Sequence, residues 1–204
     1  MMLNIGIASI SKNEKIKVLD PMCGRATTLL WSLSYGFNSK GIELDVKALD
    51  DINQIIKKWS KISKTSAKLT RGHIGKKTKS SVGKFLECKT EHANFRVVSG
   101  CSTNAKELLA NEKFDLIISD IPYGIQHLAS KQAKNPLETL SHALPQWSEC
   151  LTNDGVIVIG YNSNNPKTNK IMELASKNKL EVVNFTIAHR MSESIVRDVI
   201  VLRK

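Results

Sequence analysis

The sequence predicts an α/β fold on an open, mostly parallel sheet. Short apolar runs at 16–19, 41–45 and 116–119 end in acidic or turn residues, and helix-period segments stand between them. Residues 16–45 read strand, glycine-containing turn, helix, strand, acid, which is the order of a nucleoside-binding βαβ unit. A chain of 204 residues with 41% hydrophobic content is enough for one core, so a single domain is expected over 1–204, with a basic insertion at 61–92.

Composition narrows the function. No apolar run approaches membrane-spanning length, and no basic leader precedes the apolar N-terminal residues, which argues against a membrane or secretory role. Cys23, Cys88, Cys101 and Cys150 form no Cys-x-x-Cys pair, so no zinc site is expected and free thiols suit a cytoplasmic or nuclear setting. A formal charge of +11 points to a polyanionic partner.

In chain order, 16–19 is a short strand, and Asp20-Pro21-Met22-Cys23-Gly24-Arg25-Ala26-Thr27-Thr28 turns into a helix over 29–35 that Gly36 ends. Strand 41–45 follows, and its Glu43 is placed to take ribose hydroxyls. The turn lacks both the dinucleotide Gly-x-Gly-x-x-Gly and the phosphate-loop Gly-Lys-Ser/Thr, so neither NAD nor ATP is favoured. Val46, Leu49, Ile52, Ile55, Ile56 and Trp59 make a helical stripe that reads as core.

Residues 61–92 carry nine basic residues against Glu87 and Glu91. With its glycines, serines and threonines the stretch reads as a mobile loop. Lys76, Lys77, Lys79 and Arg71 are its candidate RNA contacts, because a concentrated basic tract releases counterions on a polyanion; a solvated tether is the competing reading.

A strand is expected at 95–99, then 100–104 at its end. The next strand, 116–119, stops at Asp120-Ile121-Pro122-Tyr123-Gly124. Pro122 holds Ile121 extended, so the Asp120 carboxylate and the Ile121 carbonyl form two adjacent acceptors, and Tyr123 offers a flat face. Together they suit an amino group on a planar base, although Asp-x-Pro-Tyr-Gly also occurs as plain turn chemistry. Residues 126–136 read as a polar lip, 137–151 as a helix, Asn153-Asp154-Gly155 as a turn, 156–159 as a strand and 169–176 as a helix. Two closing strands, 180–188 and 196–202, are joined through His189 and Arg190, which read as capping the hairpin.

The Asp20–Thr27 turn resembles the Asp-Pro-Met-Cys-Gly-Ser-Gly-Thr signature of the RNA methyltransferases usually fused to a THUMP domain. Asp120–Gly124 is similar to that family's Asp-Pro-Pro-Tyr-Gly motif. The resemblance covers 16–60 and 94–204. It implies a Rossmann-like class I methyltransferase fold, a seven-stranded mostly parallel sheet with a C-terminal antiparallel hairpin, and S-adenosylmethionine as cofactor.

By position, the resemblance puts Asp20, Pro21, Met22, Cys23, Gly24 and Thr27 at the methionine end of the cofactor. It puts Glu43 on the ribose and Leu44 or Asp45 beside the adenine. Asp120 also borders the cofactor, and Cys101, Ser102 or Asn104 stands where relatives place an acid for the adenine amine. Arg25-Ala26 replaces the family's Ser-Gly, which strains the turn if that position has positive φ.

The implied function is methylation of an exocyclic amine of an RNA base, guanine in tRNA above others, with Asp120, Ile121, Pro122 and Tyr123 as the catalytic set. Either the basic insertion or a partner protein recognises the RNA. An adenine-specific DNA or RNA methyltransferase and a non-catalytic RNA-binding subunit remain the alternatives.

Overall fold

A computed structural model describes residues 1–12, 15–75, 82–121, 135–183, 189–190 and 196–204, the side chains of 189–190 excepted. The apolar run at 16–19 becomes β1 (Lys17–Asp20), and the turn after it leads into α2 (Thr27–Ser34). β2 (Asn38–Glu43) lies parallel to β1, with Asp20 opposite Gly41. The helical stripe forms α3 (Ala48–Ser63), whose Leu49, Ile52 and Ile56 are buried. β5 (Asn94–Ser99), β6 (Phe114–Asp120) and β7 (Leu151–Asn162) complete the parallel set.

The sheet order is β3 (Lys68–His73), β4 (Lys84–Lys89), β5, β2, β1, β6, β7, β10 (Val196–Arg203), β8 (Glu181–Val183). β10 (Val196–Arg203) runs antiparallel between β7 and β8 (Glu181–Val183). The run from β5 to β8 is therefore the expected seven-stranded, mostly parallel sheet with its antiparallel C-terminal strands.

Alternation along the strands sorts the core into two layers. Leu116, Ile118, Val156, Val158, Val199 and Val201 face α1 (Met2–Ser9), while Phe95 and Val97 on the same side meet α2 and α3. The intervening Ile117, Ile157, Ile159, Ile200 and Leu202 face α5 (Pro136–Cys150), α6 (Thr168–Lys177) and the short α4 (Ala105–Leu108). At the start of α5 the Asn135 side chain accepts from the Leu137 N–H at 3.0 Å, with Pro136 following it.

Three expectations change. Residues 61–92 are not one loop: they hold the end of α3 and an antiparallel hairpin, β3 (Lys68–His73) with β4 (Lys84–Lys89), joined to the sheet through β4 and β5. β3 is the outer strand, and Leu69 is its single apolar side chain, so its pattern carries no alternation to read. Residues 153–155 are not a turn between elements. They sit inside β7, where the pairing with β6 shifts register between Phe114 and Leu116. The N-terminal apolar residues form α1, a helix not anticipated, with Met2, Leu3 and Gly6 buried.

β10 pairs antiparallel with β8 as expected of the closing strands, but His189 and Arg190, expected in the link between them, form β9 and pair with the start of β10. All four cysteines are free thiols. Among the described residues no helix is long and apolar enough to cross a membrane.

α3 allows a direct check of this layering. Ile52→Ala should cost about 2–5 kcal/mol in urea unfolding, since Ile52 is fully buried. Ile62→Ala on the same helix should stay within about 0.5 kcal/mol, since Ile62 is 84% exposed.

Candidate functional site

The parallel strands deliver their C-terminal ends to one edge: Asp20 from β1, Glu43 from β2, Ser99 and Gly100 from β5, Asp120 from β6 and Gly160 within β7. Open α/β sheets place ligands at this edge. Glu43 binds its pieces together. Its Oε2 accepts from the Gly24 N–H at 2.8 Å and its Oε1 from the Asp45 N–H at 2.9 Å. Its carbonyl accepts from the Gly100 N–H at 2.9 Å. One glutamate thus joins the first turn, the start of the next helix and the end of β5.

The first turn is tightly wound. The Met22 N–H donates to Asp20 Oδ1 at 3.2 Å, the Cys23 N–H to the Ile42 carbonyl at 3.0 Å and the Ala26 N–H to the Cys23 carbonyl at 2.7 Å. Gly24 (φ 51°) and Ala26 (φ 63°) both lie in the left-handed region. Ala26 therefore occupies the strained conformation that a glycine would adopt at less cost. Its side chain is fully buried in the α2–α3 core. Arg25 leans outward to Asp51 on α3, Nη2 to Oδ2 at 3.4 Å.

Burial raises the Asp20 carboxyl to about 7, with the Thr28 hydroxyl and the Met22 N–H opposing the rise and the charges of Asp120 and Glu43 adding to it. Thr28 was absent from the expected set: it sits one residue past the Thr27 of the motif, and only the first turn of α2 brings it back to Asp20. Thr27 itself is exposed. Burial also pushes the Cys23 thiol well up, with Asp20 and Glu43 contributing.

At the second motif, Asp120 Oδ2 accepts from Arg197 Nη2 at 2.7 Å. The same Arg197 nitrogen lies 3.3 Å from Met2 Sδ. Gly160 makes room for this group, because a Cβ there would stand 2.8 Å from Asp120 Oδ1 and 3.0 Å from Met2 Sδ. The Ile121 N–H donates to the Gly160 carbonyl at 2.9 Å, and the Ile121 side chain is buried against α5. Arg197 also escaped the sequence reading. Its one signal is an Arg-Asp pair at the head of a closing strand that is apolar from Val199 to Leu202.

The remaining expected residues divide. Pro21 is buried in the first turn and Met22 packs against the α5 core. Leu44 stands 64% exposed beside Glu43. The Asp45 carboxylate is engaged at the start of α3, accepting from the Lys47 N–H at 2.9 Å. Cys101 follows Gly100 at the same edge, its Sγ 3.0 Å from Thr103 Oγ1. Arg71 pairs with Asp50 at 2.7 Å and so braces the hairpin against α3. Pro122, Tyr123, Lys76, Lys77 and Lys79 lie outside the described residues. Among the described residues no group of His, Cys, Asp and Glu could hold a metal ion.

Comparison with known proteins bears on the family and the fold. The UPF0020 family model, described as an RMKL-like methyltransferase domain, matches residues 5–193. No curated protein matches the chain in sequence. Among solved structures, the chain is similar to TrmN from Thermus thermophilus at TM-score 0.61 and 14% identity, covering 100% of this chain and 47% of that one. An rRNA methylase from Streptococcus thermophilus gives TM-score 0.58 at 10% identity over 98% and 92% of the two chains. Burkholderia thailandensis 1,6-didemethyltoxoflavin-N1-methyltransferase, solved with S-adenosylhomocysteine, gives 0.63 at 14% identity over 100% and 76%.

The site makes two stability predictions. The folded chain holds a proton on Asp20 that the unfolded chain releases near 3.8, so this group's contribution is full below about pH 4 and is lost as pH rises through about 7. Asp20→Asn keeps an acceptor oxygen and should remove that component. In urea unfolding it should exceed wild type at pH 8 by on the order of a few kcal/mol and lose the advantage at pH 4. Ala26→Gly should leave stability within about 1 kcal/mol of wild type, because relief of the positive φ is offset by loss of the buried methyl.

Proposed function

Because the chain belongs to the UPF0020 family of RMKL-like methyltransferase domains, we propose that this S-adenosylmethionine-dependent methyltransferase methylates an exocyclic amine of an RNA base, guanine in tRNA above others. The observation that carries the reading is the Asp120 carboxylate, fixed by Arg197 at the strand end where Asp-Ile-Pro-Tyr begins.

The donor set fits the cofactor. Glu43 still has lone pairs for a ribose diol beyond its two backbone partners. Exposed Leu44 beside it offers apolar surface to an adenine. The buried Asp20 carboxyl, with Glu43 and Asp120 nearby, favours a cationic neighbour. Asp20, Met22, Cys23, Gly24 and Thr27 would hold the methionine end, with Pro21 shaping the turn and Cys101 at the adenine. The cofactor supplies an electrophilic methyl group on a sulfonium.

The chain's own residues act on the amine. An amine on guanine is a weak nucleophile because its lone pair is delocalised into the ring. Asp120 Oδ1 and the Ile121 carbonyl each accept one of its hydrogens, which turns the lone pair out of the ring plane and toward the methyl donor. Tyr123 sets the plane of the base, and Pro122 fixes the carbonyl's direction. Positioning of this kind supplies much of the rate. The nitrogen becomes strongly acidic as it gains a methyl, so the Asp120 carboxylate takes its proton even while paired with Arg197. The base must leave its stack to reach the edge. Lys76, Lys77 and Lys79 are proposed to meet its phosphates, which is supported by the hairpin: the Ile74 N–H donates to the Gly83 carbonyl at 2.8 Å and the Gly83 N–H to the Ser99 carbonyl at 2.8 Å, at the same strand ends.

The test is transfer of a deuterated methyl group to tRNA, followed by mass spectrometry of its nucleosides. The expected product is N2-methylguanosine, whereas N6-methyladenosine would make adenine the target. Asp120→Ala should lower the rate by about 10²-fold or more while leaving cofactor affinity within a few-fold. Full activity in that variant would remove the amine-holding role.

A further inference from the structure

Among the described residues, a run of unneutralised charge lies away from the site's own residues. Between Ile52 and Thr70 the chain has Lys57, Lys58, Lys61, Lys64 and Lys68 and no acidic residue. The two acids of the first turn of α3 are already taken: Asp50 pairs with Arg71 at 2.7 Å and Asp51 with Arg25 at 3.4 Å. None of the five lysines forms an ion pair among the described residues, which leaves this side of the molecule with uncompensated positive charge.

Three of the five, Lys57, Lys58 and Lys61, also line a concavity. A groove of about 430 Å³ runs between the second half of α3 and β3, bordered by Gln54, Ile56, Lys57, Lys58, Lys61 and Leu69. Lys57, Lys61 and Lys64 follow one another at the spacing of a single helix face. Two bland readings account for part of this. Lysine on an outer strand guards against edge pairing, but only Lys68 is on β3. Lysine in a last helical turn complements the helix dipole, which covers Lys61 and Lys64 but leaves Lys57 and Lys58.

The groove is connected to the site. α3 starts at the catalytic edge, where the Ala48 N–H donates to the Asp45 carbonyl at 3.0 Å and Asp45 itself donates to Glu43. Its 16 residues then carry the lysine face about 24 Å down the flank of the sheet. A polyanion with one nucleotide at the edge can lay its neighbouring backbone along that flank.

We propose that the α3–β3 groove is a phosphate-binding track for the RNA backbone, with Lys57, Lys58 and Lys61 as its principal contacts. The inference rests on the RNA reading above and adds a footprint separate from the residues assigned there. These lysines steer and hold the RNA without reading its sequence.

The test uses the full chain with Lys57→Gln, Lys58→Gln and Lys61→Gln combined, and a fluorescein-labelled tRNA transcript titrated across a salt series. Each lost contact removes about 0.7–0.9 from the slope of log affinity against log salt, so the triple variant should bind with a slope shallower by about 2–3. Cofactor affinity should match wild type. A control with Lys167→Gln, Lys170→Gln and Lys177→Gln, the same charge change on and beside α6, should keep the wild-type slope. An unchanged slope in the groove variant, or an equal fall in the control, overturns the track and leaves the RNA reading standing. If wild type itself fails to bind the transcript at low salt, the RNA reading falls and the track with it.

Discussion

The carboxylate of Glu43 is the constraint on which the rest of the edge depends. It receives backbone N–H groups from Gly24 and Asp45, which are otherwise without a strand or helix partner in the turns they occupy. Charge-assisted bonds of this kind are stronger than neutral ones. They fix the first turn against the end of β2, and with the turn fixed, Asp20 is enclosed and its carboxyl rises to about 7. The left-handed Ala26 is tolerated within the same fixed turn. Strain at such a place persists because its surroundings over-determine it.

A second constraint ties the ends of the chain to the second motif. Met2 from α1, Asp120 from β6, Gly160 from β7 and Arg197 from β10 meet at one point. Asp120 therefore owes its orientation to both termini of the chain. α1 contributes by covering β6 and β7 on the face that Leu116, Ile118, Val156 and Val158 present. The antiparallel β10 contributes by bringing a cation to the carboxyl end of a parallel strand, which a parallel neighbour starting at the opposite edge would not do.

How much of this was legible follows from the range of each interaction. β1 and β6 could be read because each is a short apolar run ending in an acid, Asp20 and Asp120, whereas β2 starts three residues before the expected 41 and ends at Glu43, leaving Leu44 and Asp45 outside it. α1 could not, since it is apolar around its circumference with a glycine at its centre and shows no helical stripe. The β3–β4 hairpin was hidden for the opposite reason: its outer strand has Leu69 as its single apolar side chain, and basic composition resembled a loop. Asn153-Asp154-Gly155 has turn chemistry, but the chain spends it on a bulge within β7. Arg197 and Asp120 are 77 residues apart, and nothing local to either announces the pair. Thr28 is the intermediate case, one position away from a motif residue and recoverable only once the helix start is known.

The Glu43-centred edge is the proposed cofactor site. Calorimetric titration of S-adenosylmethionine into wild type and Glu43→Gln tests it most directly, because glutamine keeps one acceptor for the backbone but loses the charge and the second acceptor. Wild type should bind saturably at one site, and the variant should bind about tenfold or more weakly, the size of one charge-assisted hydrogen bond. Equal affinities in the two proteins, or no binding by wild type at millimolar cofactor, would contradict it.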